Sequence, residues 1–243
     1  MNRTLVFHTA LQRALSPARV LLVATIMVFP ALGLSFAPQL GLNLLQSGGT
    51  LGLVLGAGLI GQDVSSGVLQ LLFARPVSRA SYVFSRWLGV GALAAGAVVI
   101  QVALGAVVMA LRGAPAPIGA VAGLALEQVL AAFGVAGVLA LFSSFLPGIG
   151  DLMAWLVMTV AGGLLQMIGG VLQTIGGVAR SAAVMRASEE WERFLSPTLK
   201  LQETFGGGRI SWFHLTSYLS TVTLCLALAI LILNRRELSY ATE

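Results

Sequence analysis

The chain has 243 residues, of which 57% are hydrophobic and only 9% are charged, and its formal net charge is +5. Soluble domains carry about 25% charged residues, so this composition excludes a soluble globular fold and a disordered chain. The 14 basic residues are spread along an apolar chain and form no basic patch, which also excludes a nucleic-acid-binding surface. The composition is that of an integral membrane protein.

The first segment, residues 1–17, predicts an amphipathic helix that lies in the membrane interface. Its polar residues share one helical face, as in helices that lie flat on a bilayer. The apolar residues on the opposite face are Val6, Phe7, Ala10, Leu11 and Ala14. Pro17 predicts the end of this helix, ahead of the first span.

Uncharged intervals predict six membrane-spanning helices in one all-α transmembrane domain, residues 1–243. A helix needs about 20 apolar residues to cross the hydrocarbon core. The 43 uncharged residues between Arg19 and Asp63 therefore hold two spans, with the hairpin at Pro38. The six predicted spans are 18–37, 42–61, 87–111, 118–142, 152–176 and 212–234.

Arginines around the first hairpin predict the orientation. Three precede the first span, three follow the second, and none lies in the turn between them: they are Arg3, Arg13, Arg19, Arg75, Arg79 and Arg86. The positive-inside rule then places the N-terminus and the loop 62–86 in the cytoplasm. With six spans, the C-terminus is cytoplasmic as well, in a plasma membrane or bacterial inner membrane.

The segment 177–211 is the only sizeable connection that this orientation places outside the cell. Trp191, Phe194 and the charged residues between positions 189 and 193 predict a short amphipathic helix there. Ser196-Pro197 predicts its end, and three glycines at 206–208 predict a flexible approach to the last span.

The loop 62–86 predicts a second short amphipathic helix, which Pro76 ends. The residues on its apolar face are Val64, Val68, Leu71 and Leu72, and those on its polar face are Asp63, Ser66, Gly67 and Gln70. The loop continues as Arg75-Pro76-Val77-Ser78-Arg79, and Arg86 precedes the third uncharged interval.

The order of these residues resembles the cytoplasmic loop of ABC-2 type permeases, the membrane subunits of one group of ATP-binding-cassette transporters. The residues that carry the resemblance are Asp63, Gly67, Leu71, Leu72, Arg75, Pro76, Val77, Ser78, Arg79 and Arg86. The string Asn234-Arg235-Arg236-Glu237-Leu238 is also similar to the family's usual ending. One departure is Leu11-Gln12-Arg13, where the family often has a Lys-Glu pair.

The resemblance implies that the loop 62–86 forms a coupling helix, which docks in a groove of a separate ATPase subunit. Two ATPase copies would bind ATP and Mg, and two permease copies, identical or similar, would form the translocation path. The permease itself would be neither an enzyme nor a cofactor-binding chain. The resemblance also favours export over import, and Arg75 and Arg79 would pair with acidic groups of the ATPase.

Motifs of other classes are missing from the sequence. A P-loop needs Gly-Lys-Ser/Thr, but the only lysine, Lys200, lies between Leu199 and Leu201. A membrane-embedded enzyme would need a nucleophile and a base, and none can be named; the single cysteine, Cys225, lies in an apolar run. A secondary transporter or channel is the other alternative, although it would place several ionisable groups at mid-membrane.

Glu127 is the one acidic residue deep inside a predicted span. A charge there costs roughly 2.5 kcal/mol or more on insertion scales, so it must be protonated, paired or close to water. Two interpretations remain: a contact with the substrate or with a moving helix, or a polar group bonded between helices, with Gln101 as a possible partner.

Glycines recur at helical spacing in the second and fifth spans. The second span carries Gly48, Gly52 and Gly56, which would allow close helix approach. The fifth carries Gly162-Gly163, Gly169-Gly170 and Gly176-Gly177, seven residues apart, with Gln166 and Gln173 between them. The resemblance implies that both spans border the translocation path at the dimer interface, which would assign Gly52, Gly56, Gln166, Gly169, Gly170 and Gln173 to it. Tight packing inside one subunit is the alternative for the glycines.

Overall fold

The computed structural model describes residues 8, 12, 16–69, 78–175, 178–199, 201 and 212–235, and these residues form helices and connections without a strand. The α-helices are α1 (Pro17–Phe36), α2 (Gly48–Gly56), α3 (Gly61–Ser65), α4 (Arg79–Leu111), α5 (Ile118–Phe145), α6 (Gly150–Thr174), α7 (Val178–Leu195) and α8 (Trp212–Arg235). A 3-10 segment, Pro38–Leu45, joins α1 to α2. The predicted interfacial helix lies outside the described residues, apart from His8 and Gln12.

Six stretches of the described chain are long and apolar enough to cross a membrane, which confirms the predicted number of spans. They are Pro17–Phe36, Gln39–Ser65, Arg79–Leu111, Ile118–Phe145, Gly150–Thr174 and Trp212–Arg235. The third begins eight residues before the predicted position 87, because Ser78 caps it: the Ser81 N–H donates to the Ser78 side chain at 3.2 Å. Its 33 residues extend about 50 Å, more than the hydrocarbon core requires.

The second span is not the continuous helix predicted for 42–61. It consists of the 3-10 segment, the nine-residue α2 and the five-residue α3. Gly41 and Gly58 have positive φ angles of 59° and 71°, a backbone region that favours glycine and that no α-helix contains. Hydropathy detected the apolar length of this span, but it carries no information about these two breaks.

Helix α5 lies at the centre of the bundle and packs against α2, α4, α6 and α8. Glycines make the contact with α2 close: a Cβ on Gly48 would lie 2.0 Å from the Gln128 carbonyl oxygen, and one on Gly52 would lie 2.7 Å from that of Ala132. A Cβ on Gly56 would lie 2.6 Å from the Leu139 side chain. The chain's own helix therefore covers these glycines, as in the packing alternative.

The segment after the fifth span folds back against that span as a helix that is longer than the short one predicted for 177–211. Helix α7 has 18 residues and runs antiparallel to α6. Near its end the Trp191 indole donates to the Met158 carbonyl at 2.7 Å, and Trp155 donates to the carbonyl of Leu195 at 3.2 Å. The chain then enters the bundle, where Leu199 and Leu201 are buried.

Candidate functional site

A polar cleft of about 550 Å³ lies between the second, fourth and fifth spans. The polar side chains that line it are Asn43, Gln46, Thr50, Glu127, Gln128, Ser196 and Thr198. Trp155 of α6 forms part of the wall. Polar groups at membrane depth face a protein interior or a water-filled cavity rather than lipid. This cleft can therefore hold water or a hydrogen-bonding solute within an otherwise apolar bundle.

Glu127 lies at the edge of this cleft, half-buried in the first half of α5. Its Oε2 accepts a hydrogen bond of 3.0 Å from the backbone N–H of Leu201, in the segment that follows α7. The side chain thus ties α5 to the returning chain while it lines the cleft. Both interpretations of Glu127 fit this position, although the suggested partner Gln101 makes other bonds.

Amides of α4 and α5 hold the start of α2 beside the cleft. The Gly48 N–H donates to Gln128 Oε1 at 2.9 Å, and the Ser47 hydroxyl donates to Gln101 Oε1. Gln101 also donates to the Ile26 carbonyl at 3.3 Å, so it connects α1, α2 and α4. The bond to Gln128 satisfies the first backbone N–H of a helix that begins inside the bundle.

A second cavity of about 230 Å³ lies between α6 and α7 and shares Trp155 and Ser196 with the polar cleft. Gln166 lines this cavity, whereas Gln173 is exposed farther along α6. The two predicted glutamines therefore lie in different surroundings.

One glycine of each described pair in α6 packs against α7. A Cβ on Gly162 would lie 2.8 Å from the Trp191 ring, and one on Gly169 would lie 3.0 Å from Met185. A Cβ on Gly170 would meet no heavy atom within 4 Å. The glycine seam thus holds the chain's own hairpin together, and Gly176 and Gly177 lie outside the described residues.

The break between α2 and α3 is held by polar side chains from three other helices. The Gly58 N–H lies 3.0 and 2.8 Å from the two carboxylate oxygens of Asp151, whose side chain is fully buried. The Ile60 and Gly61 N–H groups donate to Ser143 at 2.8 and 2.7 Å. On the other side of the turn, Arg19 donates to the Ala57 carbonyl at 3.1 Å. Backbone groups that leave a helix inside a membrane protein need such partners.

The two ends of the loop 62–86 are joined to each other. Asp63 of α3 accepts hydrogen bonds from Tyr82 and Arg86 of α4, and Arg86 forms an ion pair with it. Arg79 donates to the Leu233 carbonyl near the end of α8. Of the proposed coupling residues, Asp63, Arg79 and Arg86 thus have partners within the chain.

The predicted amphipathic helix of this loop is interrupted at Gly67, whose φ is 71°, so Val64 and Val68 do not share one continuous helix. Leu71, Leu72, Arg75 and Pro76 lie outside the described residues.

Sequence reasoning missed Asp151, Ser143 and Gly58 as a group. The sequence did carry one sign of the helix break: Gly48, Gly52 and Gly56 are four residues apart, whereas Gly58 and Gly61 depart from that spacing.

Within the described parts of the chain, no three His, Cys, Asp or Glu residues are grouped to hold a metal ion. Comparison with protein-family models and with curated proteins gives no match to this chain.

Proposed function

We propose that this chain is the membrane-spanning permease subunit of an ATP-binding-cassette transporter of the ABC-2 type, and that it exports its substrate. The observation that carries the proposal is the ordered loop sequence, from Asp63 through Arg75-Pro76-Val77-Ser78-Arg79 to Arg86, between the second and third of six spans. The permease works as a dimer with two ATPase subunits, in a plasma or bacterial inner membrane, with both termini in the cytoplasm.

The polar cleft supports a transport role. It opens among the second, fourth and fifth spans, where amides, hydroxyls and the Glu127 carboxylate offer hydrogen bonds to a solute. In the proposed complex this cleft forms part of the translocation path, and Gln166 in the adjoining cavity extends it.

The contacts at the loop ends suggest how motion of the loop reaches the cleft. Asp63 fixes α3 to α4 through Tyr82 and Arg86, so the two ends of the loop move together. Helix α3 connects through the Ala57–Ile60 turn to α2, which carries Thr50 on the cleft wall. When ATPase subunits close, a displacement of the loop shifts α2 about this turn and changes access to the cleft.

Charge reversal in the loop tests the proposal. The tagged chain, purified from its native membrane, should bring with it a polypeptide with a P-loop motif in equal copy number. Arg75→Glu should lower the amount of that ATPase at least tenfold, because removing one partner of a buried charge pair at an interface costs about 2–5 kcal/mol. Arg75 is a sharper choice than Arg79, which also contacts the end of α8.

Arg112→Glu is the matched control, since Arg112 is exposed in the connection between α4 and α5, at the opposite end of α4 from the loop. This variant should retain the ATPase at the parent level. Purification without any P-loop polypeptide, together with solute transport that persists without ATP, would instead establish the secondary-transporter alternative.

A further inference from the structure

An apolar groove of about 440 Å³ runs between α1 and α4, away from the polar cleft. Val20, Val23 and Met27 of α1 form one wall, and Leu93 and Ile100 of α4 belong to the other. Small residues of α4 make the groove deep: a Cβ on Gly96 would meet no heavy atom within 4 Å, and Ala92 is exposed. From position 19 to position 27 the groove extends about 12 Å along α1, close to the thickness of one hydrocarbon leaflet.

Among the residues that the structure describes, Arg19 is the one charged residue that lines this groove. It lies in the first turn of α1, where the first span begins. One of its N–H groups donates to the Ala57 carbonyl. Asp151 interacts with Arg19 electrostatically, but both Asp151 oxygens accept the N–H of Gly58. A guanidinium has five N–H donors in a planar fork, so Arg19 retains donors for a phosphate group.

We propose that this groove, the Arg19 groove, is a binding site for one anionic phospholipid. An apolar groove in a membrane protein excludes water, and its walls are open to the bilayer at Val20 and Ile100, which are 50% and 54% exposed. An acyl chain fills the apolar length. Arg19 at the end of the groove binds the headgroup phosphate. Its positive charge favours an anionic lipid over a zwitterionic one, because the zwitterionic headgroup carries a cation that offsets the phosphate charge and is repelled by the guanidinium. The lipid then joins α1 to α4 beside the α2–α3 break.

Lipid retention by the purified full-length chain tests this site. The chain is stripped of lipid, incubated with equal amounts of phosphatidylglycerol and phosphatidylcholine in detergent, and weighed by native mass spectrometry. The parent should retain one phosphatidylglycerol per chain. Ala92→Leu and Gly96→Leu should lose most of it, because each added side chain occupies the groove. Ala227→Leu is the matched control, since Ala227 is exposed on α8 and does not line the groove.

Arg19→Gln separates headgroup selection from acyl-chain binding. This variant should still retain lipid, but its preference for phosphatidylglycerol should fall about fivefold, the factor for one cationic side chain near a membrane surface. The proposal is overturned if both filling variants retain as much phosphatidylglycerol as Ala227→Leu. It is also overturned if Arg19→Gln keeps the parent's preference, or if the filling variants change only the fraction of dimer, which would assign the groove to a second copy of the chain.

Discussion

Asp151 begins the fifth span with a fully buried carboxylate that accepts the Gly58 N–H with both oxygens. Burying a carboxylate is costly unless hydrogen bonds compensate, and the backbone N–H of Leu152, at 2.8 Å from Oδ1, is a further donor. At the start of a helix, these bonds and the helix dipole both favour a negative side chain. Asp151 thereby fixes a turn that is 93 residues away in the sequence.

Replacing Asp151 should destabilise the protein, and the loss should be larger for the substitution that removes more hydrogen-bond acceptor oxygens. Asp151→Ala leaves the Gly58 N–H without an acceptor and should lower the free energy of unfolding by about 1–3 kcal/mol. Asp151→Asn keeps one acceptor oxygen and should cost less. Thermal unfolding in detergent, followed by tryptophan fluorescence, measures both changes.

Glu189→Gln serves as the control for this series, because its side chain is 62% exposed and its partner Arg193 lies on the same helix. Its unfolding temperature should match the parent's. If Asp151→Ala also unfolds at the parent temperature, the carboxylate does not hold the turn.

At the scale of elements, the second span is a broken helix whose parts perform different tasks. Helix α2 packs on α5 through glycines and lines the cleft, whereas α3 is fixed to α4 by the Asp63–Arg86 ion pair. The turn between them has its own partners, Asp151, Ser143 and Arg19. A continuous helix would be one rod, whereas here the turn divides the span into two helices that are held by different partners.

Substitutions of single glycines should distinguish packed from open positions. Gly52→Ala places a Cβ 2.7 Å from the Ala132 carbonyl oxygen, so the helices must separate, and the change should cost about 1–3 kcal/mol of stability. Gly170→Ala meets open space and should be neutral or stabilising by up to about 1 kcal/mol, since alanine favours a helix.

Chemical or thermal unfolding of both alanine variants in the same detergent gives the comparison. Equal stability of the two variants would contradict the close packing of α2 against α5.

For the whole molecule, α5 is the central one of six apolar spans and packs against the second, third, fifth and sixth. Polar side chains are found at the cleft and at the helix break. This distribution is expected in a bilayer, because its hydrocarbon core offers no hydrogen-bond partners to polar groups. Long uncharged helices satisfy their own backbone groups, whereas irregular backbone needs protein partners. Ser78 and Arg112 cap the two ends of α4, so a membrane-crossing α4 places them on opposite sides of the membrane.

Cysteine labelling from one side of the membrane tests the proposed orientation. In a Cys225→Ser background, Ser66→Cys should react with a membrane-impermeant maleimide only from the cytoplasm, and Arg112→Cys only from outside. Both positions are exposed. The reverse pattern would place the loop 62–86 outside the cell, where no ATPase subunit could reach it.

The sequence alone determined the class and the number of spans, because bilayer thickness fixes the length of an uncharged run, and such runs can be counted along the chain. It also located Glu127 inside a span and the polar loop between the second and third spans. These are properties of contiguous segments, so they need no knowledge of neighbouring helices.

Only the tertiary structure decided which groups meet. Spacing showed that Gly52 and Gly169 belong to glycine-rich helix faces, but not that the first packs on α5 and the second on α7. The same holds for Asp151, which in sequence only ends an uncharged interval, and which in the fold accepts the N–H of Gly58 across 93 residues. Periodicity defines a face of one helix, whereas the partner of that face depends on how all the helices pack together.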